Sequence, residues 1–204
     1  MDNLDSHLEI KLGIPEELHH QAAIICCEGF FSQIGWLFGS KQKAITVLEH
    51  GFDTELGLTA QMQGQLVGFV GFKYENRPFF QFERSYCIRE LGLLRGLLAC
   101  LLLNNMTAAK PLSDEMYIAV LVVDASMCGK GIGSLLMQAA FEIAQQNQCP
   151  AVVLDVANTN PDARRLYERL GFKLVRTIEF RFLPKWISSG ATIMRYVLPT
   201  CIDE

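Results

Sequence analysis

Two stretches of the chain are apolar at almost every position: MYIAVLVVD from Met116 to Asp124 and AVVLDVA from Ala151 to Ala157. Short unbroken apolar runs of this kind predict central strands covered on both faces. Between them, Leu135, Leu136, Ala139, Ala140, Ile143 and Ala144 recur at helical spacing, which predicts a one-faced helix over Ser134–Gln146. The segment NPDARRLYERLGF, Asn160 to Phe172, predicts a shorter helix with its own punctuation. Asn160 suits the N-cap, Pro161 the first turn and Asp162 the positive helix end. Ala163, Leu166, Tyr167 and Leu170 form its apolar face, and Gly171 can close it in the left-handed conformation.

The remaining pattern is mixed. Leu8–Leu12 predicts a first strand, and Pro15 to about Gly29 a helix with Glu16 and Glu17 in its first turn. The aromatic run FFSQIGWLFG follows as a candidate pocket lining, then a short helix over Lys41–His50. ELGLTAQM and QLVGFVGFKY predict a hairpin turning across QGQ. Pro78–Phe82 reads as an aromatic turn, Arg84 to about Asn104 as one helix, and NNMTAAKPLSDE as a loop. FKLVRTIEFRF and TIMRYVLP predict closing strands. The leucine run LGLLRGLLACLLL is shorter than the ~20 residues a membrane span needs. It predicts a buried or groove-lining helix, since a helix lying on a bilayer would carry more Lys and Arg.

Composition narrows the class. The chain has 204 residues, half of them hydrophobic, enough for one domain with a full core. A net charge of -4 without a basic stripe argues against nucleic acid. Seven cysteines, an odd number with no C-x-x-C, argue against a disulfide framework, and with four histidines off zinc-motif spacing they predict no metal site. Reduced thiols imply a cytoplasmic setting. The start, MDNLDSHLEIK, lacks a basic region followed by an apolar run, so no signal peptide is expected there.

The strand ending at Asp124 is followed by MCGKGIGSLL, with glycines at 129, 131 and 133 and no Ser, Thr, Asp or Asn at 128 or 129 to cap the helix. The first N–H groups of a helix lack intrahelical partners. Bare glycine backbone can bring those groups close to an anion, and Lys130 adds a full positive charge. A phosphate or pyrophosphate in place of a cap and a tight turn without ligand both fit the glycines alone. The spacing is neither that of a P-loop nor that of a dinucleotide fingerprint.

GKGIG followed, after a helix and a strand, by N-x-x-A-x-x-L-Y-E-x-L-G-F resembles the GNAT superfamily of acetyl-CoA-dependent N-acetyltransferases. The resemblance is strongest over Tyr117 to Phe180; the N-terminal half matches only in its order of strands and helices. It implies an α/β fold: a mixed, mostly antiparallel central sheet flanked by helices, with two splayed parallel strands forming the coenzyme A cleft. It also implies a single domain over 1–204, with a helical insert at about 84–106. Acetyl-CoA would be the co-substrate, with no metal. Its contacts would come from Leu121, Val122 and Val123 on the strand, from Cys128, Gly129, Lys130, Gly131, Ile132, Gly133 and Ser134 at the loop, and from Asn160 and Tyr167. Cys128 stands where the family pattern has Arg or Gln, and is expected to be a small buried residue.

The implied activity is transfer of an acetyl group to a primary amine of a small molecule or peptide. Tyr167 would be the general acid, its ordinary pKa of about 10 lying near that of an alkyl thiol. Asp155, twelve positions earlier, would be the base, as an acid in this strand is in some N-terminal-amine acetyltransferases of the superfamily. A surface pairing of Asp155 with Arg164 or Arg165 is the competing expectation, with Glu115 and Glu75 as fallback bases. A catalytically inactive acyl-CoA-binding module and an acyltransferase using a longer donor are the alternatives; the greasy N-terminal half prompts the second. A lipid-surface role for the leucine run is the third. Nucleic acid and membrane are not expected partners, and a homodimer is open.

Overall fold

A computed structural model describes residues 8–75, 77–105, 109, 111–179 and 190–199. In chain order the elements are β1 (Leu8–Leu12), α1 (His19–Phe38), α2 (Lys41–Glu49), β2 (Gly57–Met62), β3 (Gln65–Lys73), α3 (Arg84–Leu91), α4 (Leu93–Asn105), β4 (Met116–Val123), α5 (Ile132–Gln146), β5 (Ala151–Ala157), α6 (Pro161–Arg169), β6 (Lys173–Glu179) and β7 (Gly190–Val197). Among the described residues the strands form one seven-stranded sheet in the order β1-β2-β3-β4-β5-β7-β6. Every neighbouring pair is antiparallel except β4 and β5, which run parallel. This is the mixed sheet implied by the GNAT resemblance. The unbroken apolar runs occupy its centre, as covered strands must.

α5 packs across β2 to β5, while α1 lies against β3 and β4. The core joins both layers through Phe38, Phe69, Met116, Ile132, Leu136, Leu154 and Met194, all almost fully buried. An aromatic cluster of Phe52, Phe69, Phe79, Phe80 and Phe82 fills the end of the sheet near β3 and α3, with ring centroids 4.8–6.1 Å apart. Gly71 makes room for it: a Cβ there would strike the Phe79 ring. At the far end the C-terminus of α6 carries paired turn bonds. Phe172 N–H donates to Tyr167 O (3.0 Å) and Gly171 N–H to Glu168 O (3.1 Å), with Gly171 at φ +95°. That is the Schellman closure expected of Gly171.

Four expectations change. The helix starting near Pro15 does not stop at Gly29: after a 3₁₀ turn at Glu16–Leu18 it runs to Phe38, so FFSQIGWLF belongs to the same helix. Leu37 and Phe38 are core residues. The helix over 84–104 is two helices, broken at Gly92, whose φ of +82° no helix accommodates. On α5 the buried face is Ile132, Leu136, Met137, Ala140 and Ala144, and Leu135 is exposed. The leucine run is not buried: α4 turns only Gly96 and Ala99 fully inward and leaves Leu93, Leu94, Leu97, Leu98 and Leu101 in the open. Residues 180–189, including the end of the predicted strand FKLVRTIEFRF, lie outside the described residues.

Candidate active site

The two central strands pair over only three residues each, Met116–Ile118 with Val152–Leu154. Beyond that they part. β4 continues along β3 to Val123, and β5 continues along β7 to Ala157. A wedge therefore opens between them toward their C-terminal ends. An irregularity between Gly71 and Phe72 leaves Ala119 as an extra residue on β4, where the divergence begins. Asp124 N–H donates to Val67 O (2.9 Å). By alternation Val122 spends its main-chain groups on β3, while Leu121 and Val123 turn theirs away from β3, toward the wedge. Val122 is thus withdrawn from the set of main-chain contacts, and its side chain points to α1 beside Gly29.

The mouth of the wedge is the glycine segment. Asp124 caps a short 3₁₀ turn, Ala125–Met127, by accepting from Ser126 N–H (2.8 Å). Gly129 and Gly131 follow at φ +76° and +85°, a conformation L-residues rarely adopt. Gly131 is the N-cap of α5, with no side chain bonding to the helix end. Among the described residues, no acceptor reaches the N–H groups of Gly129, Lys130, Gly131, Ile132 or Gly133. A Cβ built at Gly129 or Gly131 would meet nothing within 4 Å. Solvent-facing donors at a positive helix end suit an anion. Gly133 is the closer fit: a Cβ there would lie 3.5–3.9 Å from Leu166, Val123 and Leu121. Ser134 N–H is already used by Gly131 O (2.9 Å). Cys128 is exposed, not buried, with its thiol 3.5 Å from Asp124 O. Lys130 is exposed, its ammonium 3.2 Å from Met127 Sδ.

At the vertex, Tyr117 Oη donates to Asp155 Oδ1 at 2.5 Å. The parallel register sets Tyr117 opposite Val153, two residues before Asp155, so both side chains share one face. Tyr117 is buried, and its pKa is driven well above 10, first by burial and then by the Asp155 charge and hydrogen bond. Tyr167, buried on α6 and edge-on to Phe172 at 5.7 Å, is raised in the same direction, by burial and then by Asp155. Tyr117 also feels Tyr167. Two phenols thus share the field of one carboxylate where the strands separate. Asn160 caps α6, its Oδ1 accepting from Ala163 N–H (3.1 Å).

The competing expectation for Asp155 is not met. Arg164 pairs with Glu168 and Arg165 with Asp162. Glu115 is buried and held by Arg195 (2.7 Å) and by Leu112 N–H (2.8 Å), so it is committed to structure. Glu75 sits at φ +49° in the turn after β3, beyond the end of the Tyr117–Lys73 pairing and away from the wedge. Tyr117 is the residue that motif reasoning passed over. Its only signal was a hydroxyl inside an otherwise apolar central strand.

The profile of the Acetyltransferase (GNAT) family matches residues 30–172, about 70% of the chain. The chain belongs to the GNAT acetyltransferase family. N-alpha-acetyltransferase 30 of Dictyostelium discoideum is 32% identical over 109 residues, 53% of this chain and 56% of that protein. The protein of the same name in Xenopus laevis is 45% identical over 56 residues, 28% of this chain and 20% of the other. The matches thus span little more than half of these relatives at most. Among solved structures, an acetyltransferase superposes with a TM-score of 0.63 at 22% identity, covering 94% of this chain and 100% of that one. Ard1 of Thermoplasma volcanium superposes with 0.60 at 16%, covering 95% and 99%. At such identities the superpositions speak for the fold.

Proposed function

We propose that this protein transfers an acetyl group from acetyl-CoA to a primary amine, and that the acceptor is the α-amino group of a peptide. The observation that carries the activity is the wedge between β4 and β5, with Tyr117, Asp155 and Tyr167 at its vertex and uncapped glycine N–H groups at its mouth. The relatives named N-alpha-acetyltransferase 30 support the choice of acceptor. On this reading residues 1–204 act as one domain with α3 and α4 as an insert between β3 and β4, and seven cysteines without a C-x-x-C pair fit a reducing, cytoplasmic setting.

The donor fits what the residues present. An extended arm entering the wedge would meet the main-chain groups of Leu121 and Val123, which β5 no longer faces. A diphosphate would meet the N–H groups of Gly129 to Gly133, with Lys130 and Cys128 beside it and Ser134 in the first turn. Asn160 and Tyr167 border the arm from α6. Acetyl-CoA supplies an acetyl thioester there.

Asp155 takes the proton from the incoming ammonium, leaving a neutral amine able to attack. Tyr167 Oη holds the proton that the departing sulfur needs. Its raised pKa keeps that proton in place across the neutral range. When Asp155 becomes neutral, the charge that helped raise Tyr167 disappears, and the phenol becomes a better donor. The base step thus prepares the acid step. Tyr117 steers the Asp155 carboxylate through its short hydrogen bond. The N–H of Val123 faces the wedge and can steady the developing oxyanion, worth several kcal/mol when well aimed.

The test is thiol release from acetyl-CoA over a panel of peptides with free and with blocked N-termini, read beside lysine side-chain and small-molecule amines. Release restricted to free α-amines supports the proposal. Tight acetyl-CoA binding with no release on any amine would make the protein a binding module. Running longer acyl thioesters beside acetyl-CoA tests the donor: preference for a longer chain would displace acetyl.

A further inference from the structure

α3 and α4 fold back on each other at Gly92, and two contacts fix their register. Near the turn, Gly96 sits so close on α3 that a Cβ would lie 2.5 Å from Ile88 Cα and 2.6 Å from Cys87 O. Allowing a C–C bond of about 1.5 Å, the Cα atoms of Gly96 and Ile88 stand no more than about 4 Å apart. At the open end Asn104 ties α4 to the residues before α3. Phe82 N–H donates to Asn104 Oδ1 (3.1 Å), and Asn104 Nδ2 donates to Phe82 O (3.0 Å). Cys87 and Cys100 lie between these two ties, one on each helix. Cys87 is fully buried and Cys100 is partly open to solvent. The Cys100 thiol donates to Phe82 O (3.4 Å), accepts from Asn104 Nδ2 (3.4 Å) and stands within hydrogen-bonding reach of the Cys87 thiol. A disulfide needs Cα atoms about 4.4–6.8 Å apart. Helices in ordinary contact, ~8–10 Å between axes, seldom offer that; the glycine approach brings it within reach. Cys26 and Cys27, by contrast, are consecutive on α1, where side chains diverge by about 100°.

We propose that Cys87 and Cys100 form a reversible oxidation site, closing to a disulfide that staples α3 to α4 when the protein meets a hydroperoxide. Cys100 is the point of entry, because solvent reaches it. The peroxide O–O bond breaks, an S–O bond forms at Cys100 Sγ, and the other oxygen leaves as water with the thiol proton. Cys87 Sγ then attacks Cys100 Sγ. The S–S bond forms, the S–O bond breaks, and the hydroxyl leaves with the Cys87 proton as a second water. Two thiols thus give two electrons to one peroxide. Burial, and then Cys100, push the Cys87 thiol up to about 11, so it keeps its proton and spares the oxidant until an electrophilic sulfur stands beside it. The resting state is the dithiol, and reductant restores it. The staple closes an insert that braces the molecule: on the same hairpin the Arg95 guanidinium lies against Gly39 at the C-terminal end of α1. The inference stands on the hairpin alone and is independent of the acetyl-transfer proposal.

The test exposes the full chain, reduced and freed of reductant, to equimolar hydrogen peroxide, then alkylates it and maps disulfides by mass spectrometry. Trypsin with an Asp-directed protease separates Cys100 from Cys128 at Asp114 and Asp124. The Cys87–Cys100 crosslink is expected about tenfold or more above every other pairing, and dithiothreitol should remove it. In concentrated urea the preference should vanish, because the fold sets the pairing. Cys100→Ser, with unchanged circular dichroism, should leave Cys87 reduced at the same dose; Cys100→Ala, a second variant, should do the same. Crosslinking should raise the melting temperature by about 5 °C, since a closed loop constrains the unfolded chain. Cys100 recovered unlinked, whether as thiol or as sulfenic acid, overturns the proposal. So does Cys87 oxidation at the wild-type rate in Cys100→Ser, or a crosslinked protein that melts no higher than the reduced one.

Discussion

Tyr167→Phe isolates one oxygen atom. The ring stays edge-on to Phe172 at 5.7 Å, so the core contact survives. Loss of a single buried hydroxyl changes stability by about 1 kcal/mol at most. Turnover should change far more. In the proposed mechanism the phenol is the proton source for the departing sulfur, and general acid loss costs about 10²–10⁴-fold, or roughly 3–5 kcal/mol of barrier at 1.36 kcal/mol per decade. Water can replace part of the proton supply, so we expect the lower end, about 10²-fold in kcat. The glycine N–H groups that would hold the diphosphate are untouched, so acetyl-CoA affinity should stay within about threefold. The assay is steady-state thiol release on the best acceptor peptide, with calorimetric titration of acetyl-CoA beside it. The wild-type loss of activity at high pH should lie above pH 10, because burial and Asp155 both hold Tyr167 above its ordinary value. A variant that turns over within threefold of the wild type would refute the acid role. A variant whose acetyl-CoA affinity falls in step with kcat would show a structural role instead.

Tyr117→Phe removes the 2.5 Å bond to Asp155; kcat should fall about tenfold with a displaced acidic limb in the pH–rate profile, and an unmoved limb would separate Tyr117 from the base. Gly131→Ala forces a Cβ onto φ +85°, a strain of about 1–2 kcal/mol; acetyl-CoA binding by calorimetry should weaken at least tenfold, whereas an unchanged Kd would show that the loop does not hold the donor. Arg195→Met strands the buried Glu115 carboxylate, expected to cost about 3–5 kcal/mol in urea unfolding, and adding Glu115→Gln should recover part of it. Alkaline stability follows from the buried thiols. Cys26 is pushed up to about 12 and Cys87 to about 11, both chiefly by burial. A raised folded-state pKa gives stability that is complete below the unfolded value near 9 and is lost as pH climbs toward the folded one. Melting temperature should therefore fall from pH 9 upward, and Cys26→Ala should flatten that fall.

What the sequence determined is what short stretches decide for themselves. β1 and β5 have the boundaries their patterns predict, and α6 has its Asn160 cap, Pro161 start and Gly171 closure, because each depends on residues a few positions apart. The glycines at 129 and 131 were legible as bare backbone at a helix start; their positive φ is a feature of the folded loop. Asp155 and Tyr167 were legible through the spacing of a motif.

Tertiary structure alone decided which groups meet. Tyr117 reaches Asp155 across 38 residues because a three-residue parallel register brings them to one face, and nothing near either residue encodes that register. Alternation along β3, not composition, separated Val122 from Leu121 and Val123. The leucine helix is the sharpest case. Its pattern is apolar on almost every side, and the hydrophobic effect has no direction of its own. The close approach of Gly96 to α3 chose which side faced inward, and so left five leucines outside.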